Sequence, residues 1–184
     1  MTEIIIGAGA SGLACAIRLK QNMPNDEVIL LERLDTLGKK ILATGNGRCN
    51  LSNEHAKHYR EVINFFNNIG LKTKSDSEGR IYPYSNQAAT VRDMLEKECI
   101  RLGVQIITDC TVKSVDRDLI VSTDCGMFYA DSVIIAAGGM AQSSLGSNGS
   151  GYEILKNLGH RITPLSPALV QLVSSSKYPR QLKG

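Results

Sequence analysis

The fold is decided by the stretch Ile4-Ile5-Ile6-Gly7-Ala8-Gly9-Ala10-Ser11-Gly12. Three consecutive isoleucines predict a short buried strand, and the glycines after them have the G-x-G-x-x-G spacing of a dinucleotide-binding turn. In such a turn the first glycine permits a tight bend, the second lets the backbone approach a pyrophosphate, and the third lets the helix pack on the strand. The start of the following helix attracts phosphate. The candidate phosphate-binding residues are Gly7, Gly9, Ala10, Ser11 and Gly12.

A helix, a second strand and an acidic residue follow this turn. Apolar residues at helical spacing continue to about Asn22, and residues 28–31 are continuously apolar, as in a parallel strand buried on both faces. Strand, turn, helix and strand form a βαβ unit. Glu32 then stands where a carboxylate accepts hydrogen bonds from both ribose hydroxyls, which favours FAD or NAD over NADP. Glu32 and the adjacent Arg33 are therefore candidate cofactor-binding residues, the alternative being an ordinary surface glutamate.

A second glycine turn lies late in the chain, at Ile134-Ile135-Ala136-Ala137-Gly138-Gly139. It resembles the second fingerprint of flavoproteins that bind two dinucleotides, in which small residues pack near the cofactor phosphates. Ala137, Gly138 and Gly139 become candidate cofactor-binding residues, and FAD is favoured over NAD. Residues 146–151 resemble the glycine-rich helix start of fumarate-reductase-like flavoproteins, or form an ordinary capped helix start.

Residues 33–53 show no periodicity and are predicted to form a long loop, which is usually functional in a compact domain. A flavin needs hydrogen-bond donors and positive charge at its pyrimidine edge, which becomes anionic on reduction. Arg48 and Asn50 supply such groups, and Lys39 or Lys40 is suited to a pyrophosphate. The alternative is a mobile basic surface loop. The candidates from this loop are Lys40, Thr44, Gly45, Asn46, Arg48 and Asn50.

The rest of the chain predicts an α/β fold of three layers, a FAD/NAD(P)-binding (Rossmann-like) domain. Helices are expected over residues 59–69, from a Ser85 cap to Leu102, and over 151–158. Residues 104–131 predict a strand followed by an antiparallel β-meander. The predicted layers are a parallel sheet with helices on one face and the meander on the other.

The segment from Gly38 to Asn53 resembles the signature of a bacterial flavoprotein family that includes aminoacetone oxidases, bile-acid dehydro-reductases and ribosomal-RNA dihydrouridine synthases. Gly79-Arg80-Ile-Tyr-Pro83 and Gly159-His160 also match. The resemblance implies that the Val112 backbone contacts adenine. Family members are about twice as long. Residues 1–165 are therefore expected to be a FAD-binding domain that lacks a carboxy-terminal return segment, and residues 166–184 to begin the connection to a missing substrate domain.

The resemblance implies hydride transfer through flavin N5. The substrate is a small molecule, with an amine giving hydride or an enone receiving it, or the substrate is uridine in ribosomal RNA. The residues do not identify the electron donor, which is NAD(P)H or another reductant in this reading. Nothing in the residues chooses among these reactions or assigns a catalytic residue. A truncated FAD-binding fragment without catalysis is the remaining alternative, and the chain alone is expected to be inactive.

Composition and cysteine usage exclude several other classes. The formal charge of +3 is too small to argue for nucleic acid, no apolar run is long enough to span a bilayer, and the start is not a signal peptide. Five cysteines without a C-x-x-C pair predict reduced thiols and a cytoplasmic protein. Cys49 is interpreted as a packed thiol. His55, His58 and His160 have no further ligands in the sequence pattern, so no metal site is predicted.

Overall fold

A computed structural model describes residues 1–167 of the 184-residue chain. The segment 166–184, predicted to begin a connection, lies almost wholly outside the described residues. The strands are β1 Thr2–Ile6, β2 Glu27–Leu31, β3 Ser52–Asn53, β4 Thr73–Ser75, β5 Arg80–Pro83, β6 Gln105–Ile107, β7 Val112–Val115, β8 Ile120–Thr123, β9 Met127–Tyr129 and β10 Ser132–Ile135. The helices are α1 Ala10–Asn22, α2 Lys39–Ala43, α3 Tyr59–Asn68, α4 Ala88–Arg101 and α5 Ser150–Asn157. Two 3₁₀ segments occupy Thr44–Gly47 and Ser143–Leu145.

A parallel sheet of four strands, in the order β10-β1-β2-β6, forms the centre of the fold. Ile5 of β1 lies between Ile134 of β10 and Leu30 of β2. Because other layers of the fold pack on both faces of this sheet, the continuous isoleucine run of β1 is buried on both faces. This arrangement places the ends of β1, β2 and β10 at one edge.

Each face of the sheet supports its own hydrophobic core. Ile5 and Leu30 pack on the side of α1 and α4, against residues such as Leu13 and Leu95. The next residues along the strands face the other way and pack with Val121 of the meander. Side chains of a strand alternate between its two faces, so one apolar run supplies both cores. The predicted three-layer α/β architecture is confirmed.

The antiparallel meander, in the order β7-β8-β9, is confirmed as a separate sheet. One detail of the layers differs from the prediction. Ile154 of α5 packs into the same core as Val115 and Val121, so α5 lies on the meander side and the helices do not all share one face. Gly151 permits this position, because a Cβ there would lie 3.2 Å from Ile135 Cγ2.

The long loop predicted over residues 33–53 contains regular structure. It includes α2, the 3₁₀ segment after it, and β3, which pairs antiparallel with β5. Elements of two to five residues are too short to show a hydrophobic period, so the sequence pattern missed them. Strands β4 and β5 pair antiparallel as a hairpin.

Two further sequence predictions need correction. Ser85 does not cap α4, since the helix begins at Ala88 after Gln87. The Ser85 hydroxyl instead accepts a hydrogen bond from the Gln87 N–H at 3.3 Å, which forms a turn before the helix. The prediction that all five cysteines are reduced is also wrong, because Cys110 and Cys125 form a disulfide with a Cα–Cα distance of 5.7 Å.

None of the helices among the described residues combines the length and apolar character that crossing a bilayer requires.

Candidate cofactor-binding site

A cavity of about 600 Å³ opens where β1, β2 and β10 end. This is the edge at which doubly wound sheets bind their ligands. The sequence-predicted residues that line it are Gly7, Gly9, Ala10, Ser11, Glu32, Arg33, Lys40, Thr44, Asn50, Val112, Ala137 and Gly138. The predicted residues that do not line it are Gly12, Gly45, Asn46, Arg48 and Gly139.

The first glycine turn forms the wall of the cavity at the start of α1. Gly7 has a φ of 103°, a left-handed conformation that favours glycine. A Cβ on Gly12 would lie 1.9 Å from the Gly7 carbonyl oxygen, so helix and strand pack too closely there for any side chain. A Cβ on Gly9 would have no protein atom within 4 Å. Gly9 therefore leaves open space beside the positive end of a thirteen-residue helix.

The carboxylate of Glu32 is fixed at the end of β2 by backbone donors. Its Oε2 accepts from the Ala8 N–H at 2.8 Å, and its Oε1 accepts from the Leu34 N–H at 3.0 Å. Each carboxylate oxygen can accept more than one hydrogen bond, so both keep capacity for a ligand. The side chain thus ties the glycine turn to the end of β2 and still offers an acceptor to the cavity.

Two basic side chains join opposite walls of the cavity. Arg33 donates from Nη2 to the Gly146 carbonyl oxygen at 3.0 Å, and Lys40 donates from Nζ to the Ser147 hydroxyl. Ser147 itself is buried. These bonds hold the segment after the second glycine turn against the residues that follow β2, and they place two positive charges on the cavity wall.

The second glycine turn is packed as tightly as the first. Gly138 has a φ of 76°, and a Cβ on it would lie 2.7 Å from the Ser147 hydroxyl oxygen. The carbonyl oxygen of Gly139 accepts from the Gly149 N–H at 3.1 Å. Gly138 therefore lines the cavity, whereas Gly139 anchors the segment that leads into α5.

The loop between α2 and β3 folds back on itself. The Thr44 hydroxyl donates to the Ile41 carbonyl oxygen at 2.8 Å, and Gly45 and Asn46 are both left-handed. A Cβ on Gly45 would lie 2.7 Å from the Asn50 amide nitrogen. The tight turn brings Thr44, Cys49 and Asn50 to the cavity. Gly45 and Asn46 shape this turn without reaching the cavity themselves.

Arg48 lies outside the cavity. Its guanidinium carbon lies 4.5 Å from the centre of the Tyr82 ring, and its Nε donates to the Gly45 carbonyl oxygen at 3.4 Å. A cation stacked on an aromatic face is held by the ring's electrostatics. The sequence placed this charge at the flavin, whereas the structure places it on the outer side of the turn.

Cys49 lines the cavity as a free thiol. Burial raises the pKa of Cys49, and a hydrogen bond with Thr44 partly opposes this rise. A raised pKa keeps the thiol protonated at neutral pH, when it is a poor nucleophile. In the described part of the chain, the only close group of metal-ligating types is Cys110, Asp124 and Cys125. Its two sulfurs are bonded to each other.

Comparison with known proteins identifies the family. A family model described as "HI0933-like protein Rossmann domain" matches residues 1–61 and 55–176. The chain belongs to this family.

Relatives with curated functions are similar over most of the chain. The 3-dehydro-bile acid delta(4,6)-reductase of Clostridium scindens is 43% identical over 91% of the chain and 46% of its own length. The ribosomal RNA dihydrouridine synthase of Haemophilus influenzae is 26% identical over 99% of the chain and 52% of its own length. The chain therefore spans about half the length of the curated relatives it matches.

Solved structures support the fold of this HI0933-like chain. A flavocytochrome c3 fumarate reductase in its open conformation superposes with a TM-score of 0.62 and 16% identity, covering 85% of this chain and 40% of the other. At this identity the similarity shows the shared architecture alone.

Part of the cavity wall was not predicted from the sequence. Gly146, Ser147 and Asn148 line it together with the predicted residues. The Asn148 side-chain oxygen also accepts from the Ser150 N–H at 3.2 Å, at the start of α5. The segment therefore borders the cavity and leads directly into α5, whose N-cap is Gly149. Its resemblance to the helix start of fumarate-reductase-like flavoproteins stays a prediction. The Gly-Ser-Asn-Gly pattern is the feature of the sequence that could have indicated this part of the cavity wall.

Proposed function

We propose that the chain binds FAD in this cavity and is the FAD-binding part of a flavin-dependent oxidoreductase. The observation that carries the proposal is that one cavity joins the first glycine turn, the Glu32 carboxylate and the second glycine turn. The domain is proposed to span residues 1–165.

The walls of the cavity fit the parts of FAD. Its volume of about 600 Å³ lies within the range of roughly 300–1,000 Å³ usual for cofactor and ligand sites. The Glu32 carboxylate offers a hydrogen-bond acceptor for the ribose of the adenosine, and the backbone at Val112 offers polar groups for its adenine. The open space at Gly9 and the start of α1 suit a pyrophosphate. Lys40 adds a positive charge for the same phosphates.

FAD is preferred over NAD for two reasons. The chain has a second glycine turn, at Gly138, which borders the same cavity as the first. The described chain also carries a β-meander directly before β10 and the second glycine turn, an order of elements that favours FAD. The carboxylate of Glu32 disfavours the 2′-phosphate of NADP, because two negative charges would meet there.

When bound, FAD supplies a hydride acceptor and donor at N5. The chain's own residues bind and orient it. Asn50 offers an amide donor at the cavity, and the neighbouring Cys49 thiol stays neutral because burial raises its pKa. Leu51 and Phe66 add apolar surface to the wall of the same cavity.

The proposed substrate class is a small molecule with a carbon–carbon double bond conjugated to a carbonyl, an enone. This choice rests on the 43% identity to a protein named as a delta(4,6)-reductase of a 3-dehydro bile acid. Neither of the two relatives described above is named for oxidation of an amine. Reduction of uridine in ribosomal RNA is the second candidate, and the 26% identical synthase favours it.

Binding is tested by titrating the chain with FAD, FMN and NAD and following flavin or intrinsic fluorescence. We expect FAD to bind at least about tenfold more tightly than NAD, because only FAD engages both glycine turns. Equal affinity for NAD would overturn the assignment.

Substrate class is tested on the protein that contains this chain. It is reduced anaerobically with NAD(P)H and then mixed with a steroid enone or with a uridine-containing RNA. Rapid flavin reoxidation by the enone supports the first candidate, whereas reoxidation by RNA alone supports the second.

A further inference from the structure

The Cys110–Cys125 disulfide joins a buried residue to an exposed one. Cys110 lies between β6 and β7 with 1% of its surface exposed, whereas Cys125 lies in the exposed turn between β8 and β9. The bond spans 15 residues of sequence. It therefore connects the edge of the central sheet to the tip of the meander, and one of its two residues faces solvent.

Cys110 borders the part of the cavity that we assign to adenosine. Its N–H donates to the Glu32 carbonyl oxygen at 2.9 Å. Cys110, Thr111 and Val112 line the same cavity as the Glu32 side chain. The disulfide thus begins two residues before the backbone proposed to contact adenine, on a segment bonded to the ribose-binding residue.

Hydrogen bonds hold the turn in place independently of the disulfide. The Asp124 carboxylate accepts from the Thr111 N–H at 2.7 Å, and the Asp124 N–H donates to the Thr111 carbonyl oxygen at 3.1 Å. The Cys125 N–H donates to the Thr123 hydroxyl at 3.0 Å. These bonds keep the two sulfurs close when the covalent bond opens. The geometry therefore favours a disulfide that re-forms readily after reduction.

We propose that Cys110 and Cys125 are a reversible thiol–disulfide modification site that sets the affinity of the cavity for FAD. The co-reactants are small-molecule thiols and disulfides of the glutathione type. The coupling to affinity rests on the proposed FAD binding, whereas the redox reaction of the pair does not.

Reduction proceeds by two thiol–disulfide exchanges. A glutathione thiolate attacks the Cys125 sulfur, because this residue is the exposed one, and Cys110 leaves as a thiolate. A second glutathione thiolate attacks the mixed disulfide, which releases the Cys125 thiolate and oxidised glutathione. Two electrons pass to the protein, and each protein thiolate takes up one proton. Oxidation by glutathione disulfide is the reverse sequence.

The redox state acts on the cavity through the backbone between Cys110 and Val112. In the disulfide form, this segment is fixed to the turn at Cys125, so little conformational freedom remains to be lost on binding. In the dithiol form, only hydrogen bonds hold it, from Cys110 to Glu32 and between Thr111 and Asp124, and a ligand must restrict the motion that these bonds still allow. We expect FAD to bind the dithiol form roughly fivefold more weakly or worse, at the lower end of ordinary coupling between two sites.

The experiment equilibrates the chain in buffers of reduced and oxidised glutathione, then measures intact mass, alkylation of each cysteine and the Kd for FAD. ADP, which carries the adenosine and pyrophosphate parts, is titrated in parallel. The Cys125→Ser variant removes the exposed partner and spares the buried one. The Cys15→Ser variant is the matched control, because Cys15 is a free, partly exposed cysteine of α1.

The proposal expects the oxidised wild type to be lighter by about 2 Da, with Cys110 and Cys125 protected from alkylation. It expects Cys125→Ser to bind FAD and ADP like the reduced wild type in every buffer, and Cys15→Ser to keep the redox response. Free alkylation of Cys110 and Cys125 under oxidising conditions would overturn the disulfide. Equal Kd values in the two forms would overturn the coupling. Failure of both forms to bind FAD would overturn the proposed function and the coupling together, while the mass still reports on the disulfide.

Discussion

Replacing Glu32 with alanine separates the two roles that the structure gives to one carboxylate. Within the chain, the carboxylate accepts from the Ala8 and Leu34 N–H groups. Leaving a buried donor without a partner costs about 1–3 kcal/mol. Because water from the cavity can reach both donors, we expect the lower end of that range, about 1 kcal/mol, for each of them. The free energy of unfolding should therefore fall by about 2 kcal/mol in total.

The same substitution should also weaken FAD binding. Hydrogen bonds to a charged acceptor contribute about 1.5–3 kcal/mol each, and every 1.4 kcal/mol corresponds to roughly a tenfold change in Kd. Loss of the ribose contacts should therefore weaken FAD binding by at least about tenfold.

The assay combines urea unfolding with FAD titration, both on the same preparations. Glu27→Ala is the matched control, because Glu27 is an exposed glutamate at the opposite end of β2. Its effect on the free energy of unfolding should stay within about 0.5 kcal/mol, with an unchanged Kd. A Glu32→Ala protein that is destabilised and yet binds FAD as tightly as wild type would show that the carboxylate is structural alone.

Four other substitutions test three separate parts of the structure. Gly12→Ala should lower the free energy of unfolding by about 3 kcal/mol or abolish folding, since its Cβ would stand 1.9 Å from a carbonyl oxygen. Gly9→Ala should fold normally and bind FAD weakly, because a Cβ there meets no protein atom. Equal stability of the two variants in urea would contradict this prediction. Cys49→Ser should keep the bound-flavin absorption spectrum, because the raised pKa leaves no thiolate beside the flavin, and a changed spectrum contradicts this. Arg101 lowers the pKa of Glu98, so this pair stabilises the fold above the ordinary glutamate pKa and its contribution is lost in acid. Glu98→Gln should therefore have a lower free energy of unfolding than wild type at pH 7. The difference between the two proteins should shrink as the pH falls below about 4. A difference that does not change with pH would contradict this prediction.

The sequence predicted the fold where local chemistry determines it. The isoleucine run of β1 and the left-handed turn at Gly7 follow from a few adjacent residues, and so does the acidic residue at the end of β2. The meander was also predictable, because short β-runs separated by turn residues show their period directly. Twelve of the seventeen candidate cofactor-binding residues line the cavity.

What the sequence did not predict depends on contacts between distant segments. The Cys110–Cys125 disulfide is closed by a meander turn whose position is set by packing. Arg48 rests on Tyr82, 34 residues away, instead of facing the cavity. Ser147 lines the cavity because Lys40 reaches it across the site. Periodicity reports on one element at a time, and none of these contacts lies within one element.

The cavity walls come from segments far apart in sequence, among them those around Gly9, Glu32, Val112 and Gly138. No one of these segments forms the site alone, so a ligand of this cavity binds the folded chain and has no comparable site on an unfolded one. By linkage, a ligand at 100 times its Kd adds about 2.7 kcal/mol to the free energy of unfolding. Cofactor supply in the cell would thus act as a control on how much of this protein survives proteolysis, in addition to how much is active.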